Sequence, residues 1–248
     1  MIKQLQQAFE RVLNEHGLKD EAIEITARPL DVKEAIGDSC RSNLPLKQGK
    51  EVLMQAEFKG YQGQAYTDHP GNFKGKLMEL LDMDMKENFN RALLVAAVNA
   101  ITRYLGLASG TVHCRDEDLE KCGEEIARYL AGQYNLNITI GMIGFQPAII
   151  ENLANKFGAD KVLVTDINPD NIGGDFCGVA IWDGKQYTEK LILLSDVVLA
   201  TGSTVINNTL AEIVKLSEQY HKPLLLFGTS IAGPAALLGL ERICPYGY

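Results

Sequence analysis

From about residue 135 onward, short apolar runs alternate with helical segments, and that alternation limits the fold more than any other feature. The runs at 136–143, 161–167, 179–182, 196–201 and 223–227 predict strands, with a short closing strand at 242–245. The stretches 147–157, 203 to about 220, and the segment from Pro234 predict helices between them. Strands that alternate with helices in this way build right-handed crossovers and a parallel sheet. Asp183-Gly184 predicts a tight turn after the third strand.

The residues before 135 follow a different pattern. An opening helix places Ile2, Leu5, Phe9, Val12, Leu13 and His16 on one face and ends at Gly17. Ile23, Ile25 and Ala27 alternate with polar residues, as do Val52, Met54, Ala56 and Phe58, which predicts two half-buried antiparallel strands. The stretch 60–75, rich in Gly, Tyr, Asp and His, reads as a long loop. A helix over 86–105 is apolar from Ala92 to Ile101 except at Asn99, so it must be buried on most sides. Asp116 is the expected N-cap of a further helix that carries Leu119, Cys122, Ile126, Tyr129 and Leu130 and closes at Gly132. The expectation is therefore an α/β protein in two parts: a smaller α+β domain over 1–133 and a Rossmann-like parallel-sheet domain over 134–248.

Charge and cysteine usage exclude several classes. The net charge of −8 argues against a nucleic-acid partner, which needs a basic face. No apolar stretch approaches the roughly 18–20 residues of a membrane span. The N-terminus has neither the apolar core nor the cleavage site of a signal peptide, so a cytoplasmic location is expected. The five cysteines Cys40, Cys114, Cys122, Cys177 and Cys244 are odd in number and hold no C-x-x-C, which fits reduced thiols. A small-molecule ligand is the expected partner, and a homodimer stays open.

Three strand-to-helix turns carry the expected chemistry: Gly141-Met142-Ile143-Gly144, Thr201-Gly202-Ser203-Thr204 and Gly228-Thr229-Ser230. Glycine lets a ligand approach the backbone, and the helix that follows offers free N–H groups suited to an anion. In an open parallel sheet such turns gather at the carboxyl ends of the strands. Asp166 lies 25 residues after Gly141, about where a ribose-binding acid sits in Rossmann sites. A nucleotide-like or S-adenosylmethionine-like ligand would suit this set, although G-x-G-x-x-G is not matched. The expected ligand-binding residues are Gly141, Gly144, Asp166, Thr201, Gly202, Ser203, Thr204, Gly228 and Thr229. The catalytic candidates are Asn99, Thr204 and Asn207. Asn207 and Asn208 are poor helix formers in a first turn, so one of them is expected to reach across the site. Among the histidines only His69 is a site candidate. No dedicated metal site is predicted, since the spacing of His113, Cys114 and Cys122 is not a standard zinc pattern. Cys177 and Cys244 read as packing residues.

The segment 195–210, SDVVLATGSTVINNTL, resembles the putative heavy-metal chelation family of bacteria and archaea, a family of unknown function. Gly141–Gly144, Gly228-Thr229-Ser230 and Pro245-Tyr246-Gly247 sit where that family's pattern expects them, and Ala96-Ala97-Val98-Asn99-Ala100 resembles a helix of the N-terminal domain usually fused to it. The resemblance implies an enolase N-terminal-like domain, a Rossmann-like domain, and a cleft between them to which both contribute. It also implies a ligand that is an anionic or heterocyclic metabolite, pterin-, flavin- or siderophore-like, or else non-catalytic binding of a metal or metal complex. Ser203 stands where the family more often has Thr and Asn208 where it has Gly, and the third turn lacks the Pro that often follows its Thr.

Overall fold

A computed structural model describes residues 1–19, 24–38, 43, 44, 46, 47 and 51–248. Ile23 and Cys40 lie outside the described residues. Helix α1 (Ile2–Glu15) buries Leu5, Ala8, Phe9 and Leu13, and Gly17 at φ +64° turns the chain after it. His16 is exposed rather than packed, because it falls beyond the last turn. Next come β1 (Glu24–Pro29), α2 (Val32–Ile36) and β2 (Val52–Phe58).

The stretch 60–75 is not one loop. It holds β3 (Tyr61–Thr67) and β4 (Phe73–Lys76), which complete a four-stranded antiparallel sheet in the order β3-β2-β1-β4. Glycine and tyrosine disguise the strand. Gly63 is there because α4 (Asn88–Tyr104), which follows the short α3 (Leu77–Leu81), runs so close that a Cβ would fall into its backbone at Ala96 and Ala100. Helix α4 is buried from Arg91 to Thr102, as its nearly unbroken apolar run requires.

Helix α5 (Asp118–Gln133) starts from Glu117, not from a side-chain cap at Asp116, and it runs past Gly132. Asp116 sits at φ +54° and accepts instead from the Asp38 N–H at 2.7 Å.

The C-terminal half follows as β5 (Ile140–Ile143), α6 (Pro147–Phe157), β6 (Val162–Asp166), β7 (Asp175–Phe176), β8 (Val179–Asp183), α7 (Gly184–Leu194), β9 (Val197–Thr201), α8 (Ser203–Ile206), α9 (Leu210–Gln219), β10 (Leu224–Phe227), α10 (Ala232–Leu238) and β11 (Arg242–Ile243). The strands form one sheet in the order β11-β10-β9-β5-β6-β8-β7, parallel except for the edge strand β7. Three local expectations change. Strand β5 is shorter than the run at 136–143. Asp183 does not begin a hairpin but accepts from the Lys185 N–H and caps α7, so β8 runs parallel to β6. The helix expected from 203 to 220 is broken, since Asn208 takes φ +59° between α8 and α9. The two asparagines that read as poor helix formers mark that break.

The parallel sheet is covered on both faces, and the period of two decides which residue meets which layer. In β9, Val197 and Leu199 join the core beneath α5 and α6, whereas Val198 and Ala200 join the core shared with α1, α4 and the antiparallel sheet. One hydrophobic core thus runs from the N-terminal helix into the far face of the parallel sheet.

Candidate functional site

The chain leaves β5 for β6 and β8 on one side, then returns to β9, β10 and β11 on the other. The switch point, where open α/β sheets bind ligands, is the crevice between β5 and β9. The three glycine turns meet there. A Cβ on Gly144 (φ +105°) would come within 2.5 Å of Thr201 Cγ2, and one on Gly202 within 2.7 Å of the Ile231 nitrogen in the third turn. The Gly202 N–H donates to the Phe227 carbonyl and the Gly144 N–H to the Thr165 carbonyl, both at 2.8 Å, so the turns are fixed to neighbouring strands.

Two adjoining chambers open over these turns. The inner one holds about 120 Å³ and the outer about 730 Å³. Glu51, Tyr66, Gly144, Asp166, Thr201 and Ser203 line both. Of the expected ligand-binding residues, Gly202, Gly228 and Thr229 line the inner chamber, and Thr204 the outer one. Gly141 lines neither. It lies within β5, where a side chain would collide with Ser195 and Leu191, so packing accounts for this glycine.

Asp166 faces its own scaffold. Its carboxylate accepts from the Phe145 N–H at 2.6 Å and the Asn168 N–H at 2.7 Å, which shapes the first turn from the next strand. Gln146 caps α6 through its side-chain oxygen, and Pro147 occupies the first position of that helix. α8 has four residues and α10 seven. Helix dipoles therefore add little anion affinity here.

Asn99 is fully buried and lines neither chamber. Its amide donates to the Gln64 carbonyl at 2.8 Å and the Thr229 carbonyl at 3.2 Å, and its oxygen accepts from the Gly233 N–H at 2.6 Å. It positions the third turn against β3. Asn207 does reach toward the other half: its oxygen accepts from Asn88 at 3.3 Å, and the Asn88 oxygen accepts from Thr67 at 2.6 Å. Thr204 donates to the Thr201 carbonyl at 2.7 Å. His69 sits outside both chambers beside Asp68.

Residues outside the glycine turns complete the walls. Glu51, just before β2, lies at the junction of the chambers. Burial, helped by repulsion from Asp166 and Asp68, raises its carboxyl to about 7. Burial holds the Tyr66 phenol well above its usual range. His113 packs edge-on against Tyr66 at 5.3 Å, and burial lowers its imidazole to about 4. Its Nδ1 contacts the Cys114 carbonyl at 2.6 Å, which must accept, so Nδ1 carries the proton and Nε2 is left as an acceptor. Cys114, Cys122 and Cys244 also line the inner chamber. The hydrogen bond between Cys114 and Cys122 holds Cys114 protonated and lowers Cys122, with the Arg242 charge assisting; burial raises Cys244. Among the described residues, no group of three His, Cys, Asp or Glu side chains is arranged to hold a metal ion.

Comparison with known proteins follows the same lines. Residues 133–239 match the family described as putative heavy-metal chelation, which bears out the resemblance carried by the Thr201–Thr204 turn. A crystal structure of a protein of unknown function from that family, from Pyrococcus horikoshii, is 17% identical, with 92% of this chain and 79% of that chain covered and a TM-score of 0.51. A second, from Desulfitobacterium hafniense DCB-2, is 12% identical over 75% of this chain and 72% of that one, with a TM-score of 0.48. The first likeness shows the fold. No curated protein matches the chain. No helix among the described residues is long and apolar enough to cross a membrane.

Proposed function

We propose that this chain, whose residues 133–239 match the putative heavy-metal chelation family, binds a small heterocyclic metabolite in the crevice between its two parts, 1–133 and 134–248, and acts on it by acid–base chemistry. One observation carries the reading: Glu51, raised to about 7, stands in the wall shared by both chambers at the switch point. A carboxyl near 7 is present in both protonation states at neutral pH, the condition that suits a general acid or base. A pterin-, flavin- or siderophore-like ring can chelate a metal through its own nitrogen and oxygen atoms, which would link such a metabolite to the family's description. Thr204 and Asn207 would orient the polar part in the outer chamber, and Asn99 would act from behind as a positioning residue.

Calorimetric titration with a pterin, flavin mononucleotide, S-adenosylmethionine and ATP tests the reading. A heterocycle should bind, Thr204→Val should weaken it roughly tenfold through one lost hydrogen bond, and Glu51→Gln should abolish proton uptake or release on binding. If none of the four binds and neither substitution changes any activity, the proposal fails.

The description of the matched family supplies a second reading, a non-catalytic binder of a metal complex held through the complex's own ligands. Stoichiometric metal that survives dialysis of untagged protein would select it.

A further inference from the structure

The walls of the crevice bear on the charge of its occupant. Among the described residues of the outer chamber the carboxylates are Glu51, Asp68, Asp166, Asp170, Glu189 and Glu212, and the one cation is the exposed Lys185. No lysine or arginine lines the inner chamber among the described residues. Burial raises the Glu51 carboxyl, and Asp166 and Asp68 each lie near enough to Glu51 to add to that by repulsion. An anionic ligand would add a further like charge in a partly desolvated site, whereas a cation would relieve the repulsion.

Two buried hydroxyls point to an occupant independently of charge. Thr165 lines the outer chamber and Thr229 the inner one; both are fully buried, and neither Oγ1 has a hydrogen-bond partner. Buried polar atoms are normally paired, so an orphan at a cavity wall calls for a partner from within the cavity. The inner chamber is otherwise mainly apolar, with Ile36, Leu119, Ile149 and Phe227 in its lining. Its 120 Å³ compares with the engineered cavity of about 150 Å³ that admits benzene.

From this we infer that the site takes a small aromatic or heteroaromatic amine, with the single ring in the inner chamber against Thr229 and the protonated nitrogen in the outer chamber among Glu51, Asp68 and Asp166. This inference rests on the proposed ligand crevice and adds the ligand's charge and its orientation.

Benzylamine and benzoate, matched in size and opposite in charge, are suitable probes for calorimetric titration of the full chain. Benzylamine should bind at least roughly tenfold more tightly than benzoate, and the gap should narrow in about 0.5 M salt as exposed charges are screened. Asp68→Asn, an exposed position, should narrow it as well. Thr229→Val gives a readout separate from folding: it removes a buried orphan and should raise the melting temperature of the unliganded protein while weakening benzylamine several-fold. Equal or tighter binding of benzoate, or binding of neither probe, overturns the inference. So does a Thr229→Val protein with unchanged affinity for benzylamine. A heterocycle that binds under Glu51 control while benzoate matches benzylamine would leave the acid–base proposal standing and remove only the amine.

Discussion

A fully buried amide must find its partners inside the protein, and Asn99 bonds to Gln64, Thr229 and Gly233. Asn99→Leu keeps much of the volume but leaves two carbonyls and one N–H without their partner. Unsatisfied buried groups cost about 1–3 kcal/mol each, so a loss of about 3 kcal/mol or more is expected in urea unfolding. Glu51 makes a different prediction. Its carboxyl is raised from 4.5 to about 7, so between these values the native state holds more proton than the unfolded chain. Stability from this group is complete below pH 4.5 and is lost as pH rises through 7. His113, lowered from 6.5 to about 4, acts in the opposite sense: its contribution is present above pH 6.5 and is lost as pH falls through 4. The two slopes oppose each other between 4.5 and 6.5, which masks both in the wild type. The difference between Glu51→Gln and wild type isolates one of them. The variant's relative stability should climb from pH 4.5 to pH 7, and a flat difference across that range would contradict the placement of Glu51.

At the level of elements, β3 and α4 approach so closely that glycine is needed between them. In Gly63→Ala the added methyl meets helix backbone, which cannot swing aside as a side chain could. Overpacking of this kind costs about 1–3 kcal/mol, and a lowered urea midpoint with an unchanged slope would report it. The same closeness explains what could be read from the sequence. The strands β5, β6, β8, β9 and β10 and the helices α4 and α6 were legible because each is an apolar run or stripe of the right length. The Gly144 and Thr201–Thr204 turns were legible because glycine and hydroxyl residues crowd a strand end. Strand β3 was not, since its glycine answers to a helix more than thirty residues away. Glu51 and Thr165 were not legible either: one precedes a strand, the other sits inside one, and only tertiary placement brings them to the same chamber. Asn99 could be picked out as polar among apolar neighbours, but the identity of its partners comes only from the fold.

Across the whole molecule, the largest core does not respect the change of pattern near residue 135. It joins Leu5 and Phe9 of α1 and Ala96 of α4 to Leu191, Val198, Val205 and Ile213 of the C-terminal half. Helix α5 does the reverse, with Ile126 and Leu130 packed beneath the parallel sheet. Arg91 adds polar ties, donating from α4 to the Ile206 carbonyl and to the Met85 carbonyl at 2.7 Å, and Arg242 holds the Gly228 and Gly110 carbonyls at 3.0 and 2.8 Å. Two units that share a core of this kind cannot separate without exposing it, at about 25 cal/mol for every Å² of apolar surface. Heat should therefore unfold the chain in a single transition, with calorimetric and van't Hoff enthalpies in agreement. Residues 134–248 produced alone should bind a hydrophobic dye and lack a cooperative melt, because α4 no longer covers α8 and α10. Supplying residues 1–133 in trans should restore the melt. Two resolved transitions in the intact chain, or a cooperative melt for 134–248 alone, would mean that the contacts across α4 contribute little, and the crevice beside them would then have to be treated as a hinge rather than a fixed pocket.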